Sequence, residues 1–150
     1  VVAVRTGQRL QAGALALRVR WPTAAAARQS GDPNDRAAVI EATIGGLHAL
    51  IPADAEGNVL RHLSGLRADV LVVSHHGSAD PDLPAVLREL HPAFAVISVG
   101  AGNSYGHPRA ETLAALQRAR VPTLRTDRGG SVDVRRVANR LVVRRIAASP

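Results

Sequence analysis

The sequence has no cysteine and no methionine, and it has only one tryptophan, one tyrosine and one phenylalanine among 150 residues. The absence of cysteine excludes disulfides, thiolate metal sites and cysteine nucleophiles. A metal ion would therefore need histidine and carboxylate ligands, which suit zinc, manganese and similar ions. Because aromatic residues are so few, Val, Leu, Ile and Ala must build the core, and platforms for stacking single-stranded bases are not indicated.

Long apolar runs are also missing. No stretch approaches the roughly 18 apolar residues typical of a membrane span, and no segment has the layout of a signal peptide. We therefore expect residues 1–150 to form a single soluble domain. Because position 1 is Val, we also expect this domain to be a partial one, cut from a longer protein.

Lysine is absent too, so all 19 basic residues are arginine, and the formal net charge is +7. A basic surface favours polyanions such as nucleic acid or an anionic membrane. Biased base composition would produce the same arginine-rich and alanine-rich chain. Charge alone is therefore weak support for a phosphate-bearing partner.

Hydrophobic patterning predicts an α/β fold with a mixed sheet. Residues 14–21 alternate like a half-buried strand, and two short apolar runs around Gly45-Gly46 predict a hairpin. Further on, continuous apolar strands alternate with helical patterns, which is typical of βαβ units. The predicted later elements are a helix over 55–67, strands over 69–74, 93–100 and 121–126, helices over 83–90 and 109–120, and a closing hairpin that turns at Ala138-Asn139.

Polar residues follow the ends of the predicted strands, where open α/β sheets bind ligands. If these strands are neighbours, a carboxylate and two or three imidazoles meet on one rim and form a metal site. The residues concerned are Asp54 after one strand, His75 and His76 after the next, Asn103, Ser104, Tyr105 and His107 after the third, and Thr126 and Asp127 after the last.

Several of these residues have a plainer explanation. On position alone, Asp54 is better read as a cap of the helix predicted over 55–67. Adjacent residues at a strand end face opposite ways, so His75 and His76 cannot both be core residues. Ser78 lacks the G-x-S-x-G elbow of serine hydrolases, so a nucleophilic role is discounted. The remaining histidines, His48, His62 and His91, are assigned structural or solvated positions.

The motifs HHGS (75–78) and YGHP (105–108), in that order, make the chain resemble the C-terminal metallo-β-lactamase-fold domain of the ComEC family of bacterial competence proteins. The likeness covers about residues 34–134. It includes Asn34, the ADAE of 53–56 where the family has G-D-A-E, and a T-D pair at 126–127. The resemblance implies an αββα sandwich, of which this chain holds the later part.

The resemblance also implies roles for particular residues. Asp54 would be the metal-bridging carboxylate, His75 a histidine ligand, and His107 a further ligand or a phosphate contact. His76, Ser78, Asn103, Tyr105, Thr126 and Asp127 would be supporting residues of the site. The implied activity is metal-dependent hydrolysis of the non-transported DNA strand during uptake, at the cell membrane and beside the membrane channel portion of the same protein.

One departure from the family pattern is large. The H-x-H-x-D-H motif, which supplies most of the metal ligands in the family, is absent from all 150 residues. We expect the chain to begin after this motif; the alternative is a protein that has lost it. In either case we expect an incomplete site for zinc or manganese. Ala53 in place of glycine costs little unless that position needs a positive φ. Two other functions stay open: a non-catalytic, arginine-rich DNA-binding or assembly module, and a metallo-hydrolase of small esters, which the lack of an aromatic-lined pocket disfavours.

Overall fold

A computed structural model describes residues 3–29 and 31–147 of the chain. Nine strands and four short helices are assigned within these residues. The strands are β1 Arg9–Ala12, β2 Leu15–Trp21, β3 Val39–Ile44, β4 Leu47–Ile51, β5 Val70–Val72, β6 Phe94–Ile97, β7 Thr123–Arg125, β8 Ser131–Val137 and β9 Arg140–Ile146. The helices are α1 Gly57–Leu60, α2 Leu83–Leu90, α3 Ala110–Arg118 and α4 Thr126–Gly129, with 3-10 turns at Ala26–Arg28, Pro33–Arg36 and Ser74–Gly77.

The main sheet has seven strands, arranged in chain order from β1 to β7. Strands β1 to β4 pair antiparallel, whereas β4 to β7 pair parallel. The turn between β3 and β4 places Gly45 and Gly46 at φ +54° and +76°, a conformation that glycine adopts without steric cost. The predicted α/β class, mixed sheet, βαβ units and hairpin at Gly45-Gly46 are all confirmed.

The core lies between the sheet and the helices. Leu50, Leu71 and Ala95 are opposite one another in the register of β4, β5 and β6, and all three are almost fully buried. Leu87 of α2 and Leu116 of α3 pack into the same cluster. Burying one such leucine is worth roughly 1.5–3 kcal/mol, so aliphatic side chains supply the stability that the scarce aromatics cannot.

The second sheet is the hairpin β8–β9, whose turn places Ala138 and Asn139 at positive φ as the sequence predicts. Arg136 of β8 is tied to the main sheet by a salt bridge from its Nη2 to Asp69 Oδ1, 2.7 Å long. The other oxygen of Asp69 accepts the backbone N–H of His48 at 2.9 Å. Burial would raise the pKa of Asp69, but the His48 N–H and the Arg136 guanidinium outweigh it and hold the pKa below its usual value.

Two expectations about elements were wrong. The helix predicted over 55–67 spans only Gly57–Leu60, and the residues that follow form turns, with Gly65 at φ +65°, outside the helical range. Arg20 fixes this turn by donating from Nη2 to the Ser64 carbonyl at 2.6 Å. Strand β1 was missed, since it has only four residues and all of them are exposed. Within residues 3–29 and 31–147, no helix is long and apolar enough to cross a bilayer.

Candidate active site

The polar residues singled out in the sequence follow parallel strands that are neighbours in the sheet. Asp54 comes after β4, His75 after β5, the loop with His107 after β6, and Thr126 directly after β7. Because β4, β5, β6 and β7 are adjacent and parallel, their carboxyl ends form one rim. The expected convergence of these strand ends is confirmed.

The backbone of the rim is held in an unusual conformation. Ala53, His75 and His76 have φ of +50°, +46° and +54°, which costs non-glycine residues roughly 1–2 kcal/mol each. The N–H of His75 donates to the carbonyl of Ala53 at 2.9 Å, so the two strained loops support each other. Backbone strain of this kind concentrates at functional sites, and here it lies on the loops that follow β4 and β5.

The two adjacent histidines share one hydrogen-bonding pattern. Nδ1 of His75 lies 3.2 Å from Oε1 of Glu56, and Nδ1 of His76 lies 2.7 Å from the carbonyl oxygen of Ser98. Carboxylate and carbonyl oxygens only accept, so Nδ1 is the protonated nitrogen in both rings. In the neutral imidazole Nε2 then has a free lone pair, which is the arrangement that metal-binding histidines adopt.

Glu56 is the residue that holds His75 in place. Its Oε1 also accepts the hydroxyl proton of Ser78, so one carboxylate oxygen serves both ends of the HHGS segment. The backbone carbonyl of Ser78 in turn accepts the hydroxyl of Thr112, which is buried in α3. The side chain and the carbonyl of Ser78 thus tie the HHGS segment to Glu56 and to α3.

His107 reaches the same rim from the loop after β6. Asn103 holds the loop closed, because its Oδ1 accepts the His107 N–H at 3.1 Å and its Nδ2 donates to the His107 carbonyl at 2.8 Å. The ring centroid of His107 lies 5.7 Å from that of His75. Tyr105 stacks against His107 at 6.3 Å and is 76% exposed, so it covers the outer side of the ring.

The surroundings of His107 disfavour its protonated form. Burial lowers the pKa of the His107 imidazole, and the positive fields of His75 and Arg109 add to the effect. Its Nδ1 is buried and, among the described residues, has no hydrogen-bond partner. Both observations favour the neutral form of the His107 ring.

Asp54 shares a surface pocket of about 250 Å³ with His75 and Glu56. The remaining lining residues come from the segment before β3 and from α1: Asp32, Asn34, Asp35 and Asn58. The interpretation of Asp54 as a helix cap is wrong, because the residue that precedes α1 is Glu56 and the N–H of Gly57 donates to Asp80 at 2.8 Å. In the described part of the chain, no hydrogen bond holds the carboxylate of Asp54.

The rim offers the donor types that a divalent ion prefers, but not a closed set. Within residues 3–29 and 31–147, no three His, Asp or Glu side chains are arranged to hold one metal ion. A groove of about 490 Å³, larger than the pocket at Asp54, lies elsewhere, on strands β1 to β4.

Comparison with known proteins gives two relatives. The chain is 32% identical to ComE operon protein 3 of Bacillus subtilis (strain 168) over 136 residues, and 30% identical to Competence protein ComA of Neisseria gonorrhoeae over 111 residues. These matches cover 88% and 71% of this chain. This chain is a homologue of bacterial competence proteins.

The homology is to a segment of the competence proteins, since the matches cover only 17% and 16% of the two relatives' own lengths. No family model matches the chain. No solved structure matches it significantly.

The last two predicted site residues, Thr126 and Asp127, form hydrogen bonds within the rim. The hydroxyl of Thr126 donates to the Val99 carbonyl at 2.7 Å and accepts the Val99 N–H at 2.8 Å, which locks the end of β7 to the strand beside it. Asp127 accepts two hydrogen bonds from Arg125, at 3.0 and 2.6 Å. The Arg125 guanidinium holds the pKa of Asp127 below its usual value, so this carboxylate is paired with arginine.

Sequence reasoning missed the importance of Glu56 and Thr112. Glu56 was visible only as the acidic residue two positions after Asp54, and nothing local indicates that it faces His75. Thr112 lies 34 residues from Ser78 in the chain, and a threonine within a helical pattern has no signal of its own. Both contacts depend on the packing of α1 and α3 beside the rim.

Proposed function

We propose that this chain forms one side of a metal-dependent phosphodiesterase site in a DNA-uptake protein, and that it acts on the DNA strand that is not transported. The supporting observation is the placement of Asp54, His75 and His107 on one rim, with His75 presenting Nε2 outwards. The competence relatives supply the biological setting. DNA would be the substrate, and the membrane channel portion of the same protein would be the partner.

The side chains on the rim are of the chemical types that bind divalent metal ions. Carboxylate and imidazole are ligands that zinc and manganese accept, and the Nδ1 of His107, which has no hydrogen-bond partner among the described residues, supports the proposal. Asp54 and His75 would hold the ion, with His107 as a further ligand or a contact to phosphate. A divalent ion bound here would act as a Lewis acid towards the phosphate and lower the pKa of a water molecule.

The chain's own residues orient the site. Glu56 fixes the tautomer and the ring orientation of His75, as second carboxylates do for many ligating histidines. Asn103 holds the His107 loop, and the guanidinium of Arg109 adds positive charge beside His107. Positive charge near the rim would position a DNA backbone without reading its sequence.

Metal titration with matched variants tests the proposal. Calorimetry with Mn²⁺ and Zn²⁺ should show binding to the wild type and to His62→Gln, whose histidine is exposed far from the rim. Binding should be lost in Asp54→Asn and His75→Gln. Glu56→Gln should weaken it by roughly 10–100-fold, the usual effect of removing a partner of a ligating histidine.

Cleavage of end-labelled DNA by the same proteins should follow the order of metal affinity. It should be measured on the 150-residue chain and on any longer protein that contains it. If Asp54→Asn and His75→Gln bind metal and cut DNA as well as His62→Gln does, the rim is not the catalytic site and the proposal fails.

A second candidate is a DNA-binding module without catalysis. It is favoured by the absence of a three-ligand group among residues 3–29 and 31–147. Residues 128–146 also hold six arginines but only one acidic residue, Asp133. Binding of DNA that weakens steeply with salt, is unchanged by EDTA and is unaffected by Asp54→Asn would support this function over the hydrolase.

A further inference from the structure

A groove of about 490 Å³ lies on the main sheet, away from the rim. Its floor includes Thr43 and His48, which lie opposite each other beside the Gly45-Gly46 turn. Asp54 follows the other end of β4, so the groove and the rim lie at opposite edges of the sheet. A volume in this range is typical of ligand-binding clefts.

Three arginines of this groove have no carboxylate partner among the described residues. Arg9 on β1 and Arg18 on β2 are direct partners in the strand register, and Arg67 lines the groove from the segment before β5. All three are exposed. We refer to Arg9, Arg18 and Arg67 and the cavity between them as the arginine groove.

The register creates an unfavourable like-charge pair. Residues directly opposite on antiparallel strands have Cβ atoms about 4.5–5.5 Å apart, and like charges in these positions destabilise the sheet. Arg18 also faces Glu41 across the next strand pair, which could have neutralised it. However, Oε2 of Glu41 is bound by Arg20 at 2.7 Å, and Oε1 accepts the backbone N–H of Arg67 at 3.3 Å.

Glu41, the one carboxylate among the residues that line the groove, is therefore already bound to Arg20 and to the backbone of Arg67. The Arg20–Glu41 pair is largely buried, with side-chain exposures of 13% and 17%, and Arg20 is further held by the Ser64 carbonyl. This arrangement leaves two arginines that face each other in the strand register, and a third that lines the same groove, without a carboxylate partner among the described residues. Planar guanidinium groups bind phosphate through paired hydrogen bonds.

We propose that the arginine groove binds phosphate groups, and that an anion placed between Arg9 and Arg18 relieves their repulsion. No Trp, Tyr or Phe lines the groove, so bases would not stack there and recognition would be through the backbone alone. The phosphate could belong to a single-stranded nucleic acid or to a small phosphate compound. This site does not depend on metal binding or catalysis at the rim.

The test compares two triple variants with the same change in charge. Arg9, Arg18 and Arg67 are changed to glutamine in one, and three exposed arginines away from the groove, Arg28, Arg88 and Arg118, are changed to glutamine in the other. Fluorescence anisotropy with a labelled short oligothymidylate is measured over a range of NaCl concentrations. Thermal unfolding is measured with and without inorganic phosphate.

If the ligand is a nucleic-acid strand, the groove variant should bind the oligonucleotide weakly, and its slope of log K against log salt should fall by about 2, at about 0.7 per phosphate contact. The control variant should keep a steeper slope. If the ligand is a small phosphate compound, oligonucleotide binding will be equal in both variants. Phosphate will then raise the unfolding temperature of the control more than that of the groove variant.

A separate measurement tests the like-charge pair itself. Without ligand and at low salt, Arg18→Gln should unfold at a temperature equal to or above that of the wild type, because the substitution removes repulsion from Arg9. Arg18→Lys keeps the charge and should not gain stability. The proposal is overturned if the two triple variants respond equally to both oligonucleotide and phosphate.

Discussion

Gly77 offers the sharpest test of how the rim is assembled. It lies between the paired histidines and Ser78, at φ +84°, and its carbonyl accepts the N–H of Arg109 at 2.8 Å. A Cβ added at this position would lie 2.6 Å from Cβ of Pro108 and 3.2 Å from its Cα. Gly77→Ala therefore forces apart the loops that present His75 and His107.

The loss of stability expected from Gly77→Ala has two parts. An alanine in the left-handed region costs roughly 1–2 kcal/mol. Inserting a methyl group into a tightly packed contact costs typically about 1–3 kcal/mol, and the Pro108 ring is too rigid to move aside cheaply. The free energy of unfolding should fall by about 2–5 kcal/mol, which at roughly 2–4 °C per kcal/mol lowers the unfolding temperature by about 4–20 °C.

Gly100→Ala is the matched control, because no atom lies within 4 Å of the added Cβ and its φ is not positive. Urea denaturation followed by circular dichroism measures both variants against the wild type, and cross-peaks between the imidazole rings of His75 and His107 in NMR report their separation. Gly77→Ala should be much less stable than Gly100→Ala and should lose these cross-peaks. Equal stability of the two variants would refute the close contact with Pro108.

Three further substitutions test other parts of the structure. Asp127→Asn should lower the free energy of unfolding at neutral pH. The difference from the wild type should disappear as the pH falls below 3.8 and through the lowered pKa of Asp127, because the wild type then loses the same ion pair. Urea denaturation across this pH range measures the difference. Arg136→Gln should cost about 1–2 kcal/mol by leaving the carboxylate of Asp69 half-buried and unpaired, whereas the exposed control Arg140→Gln should change stability by less than about 0.5 kcal/mol. Ala53→Gly should raise the free energy of unfolding by about 0–1.6 kcal/mol, since it relieves left-handed strain of roughly 1–2 kcal/mol against a gain in unfolded-state entropy of about 0.4–1 kcal/mol.

The parallel half of the fold could be predicted because β5 and β6 lie in apolar runs that contribute to the core. Runs such as 69–74 and 93–100 are continuous and apolar, and the helices between them have clear spacing, so βαβ units follow from local pattern. Strand β1 could not be predicted because it is an exposed edge strand whose residues have no buried face. The helix predicted over 55–67 failed because apolar spacing persists through the turns after Leu60, where Leu63 and Leu66 still pack on the core.

The candidate site also has one part that local sequence predicts and another part that it does not. Chain order and strand type place Asp54, His75 and His107 on one rim, since the carboxyl ends of neighbouring parallel strands must meet. Which nitrogen each histidine presents depends on Glu56 and Ser98, and these contacts form only when separate loops pack together. Local sequence therefore predicts the residues of the site better than it predicts their chemical state.

The paired histidines are explained by a conformation that simple strand geometry does not anticipate. Adjacent residues in a strand point to opposite faces, which would send one histidine of the pair away from the rim. Both His75 and His76 instead adopt positive φ, and their ring centroids lie 6.4 Å apart. Since each residue bears a steric cost of roughly 1–2 kcal/mol, the packing that holds them, above all the contact of Gly77 with Pro108, must be stronger than this strain. A chain that needed only a turn at this point would be more stable with glycine or asparagine in these positions, so the strained pair is itself an argument for a function at the rim.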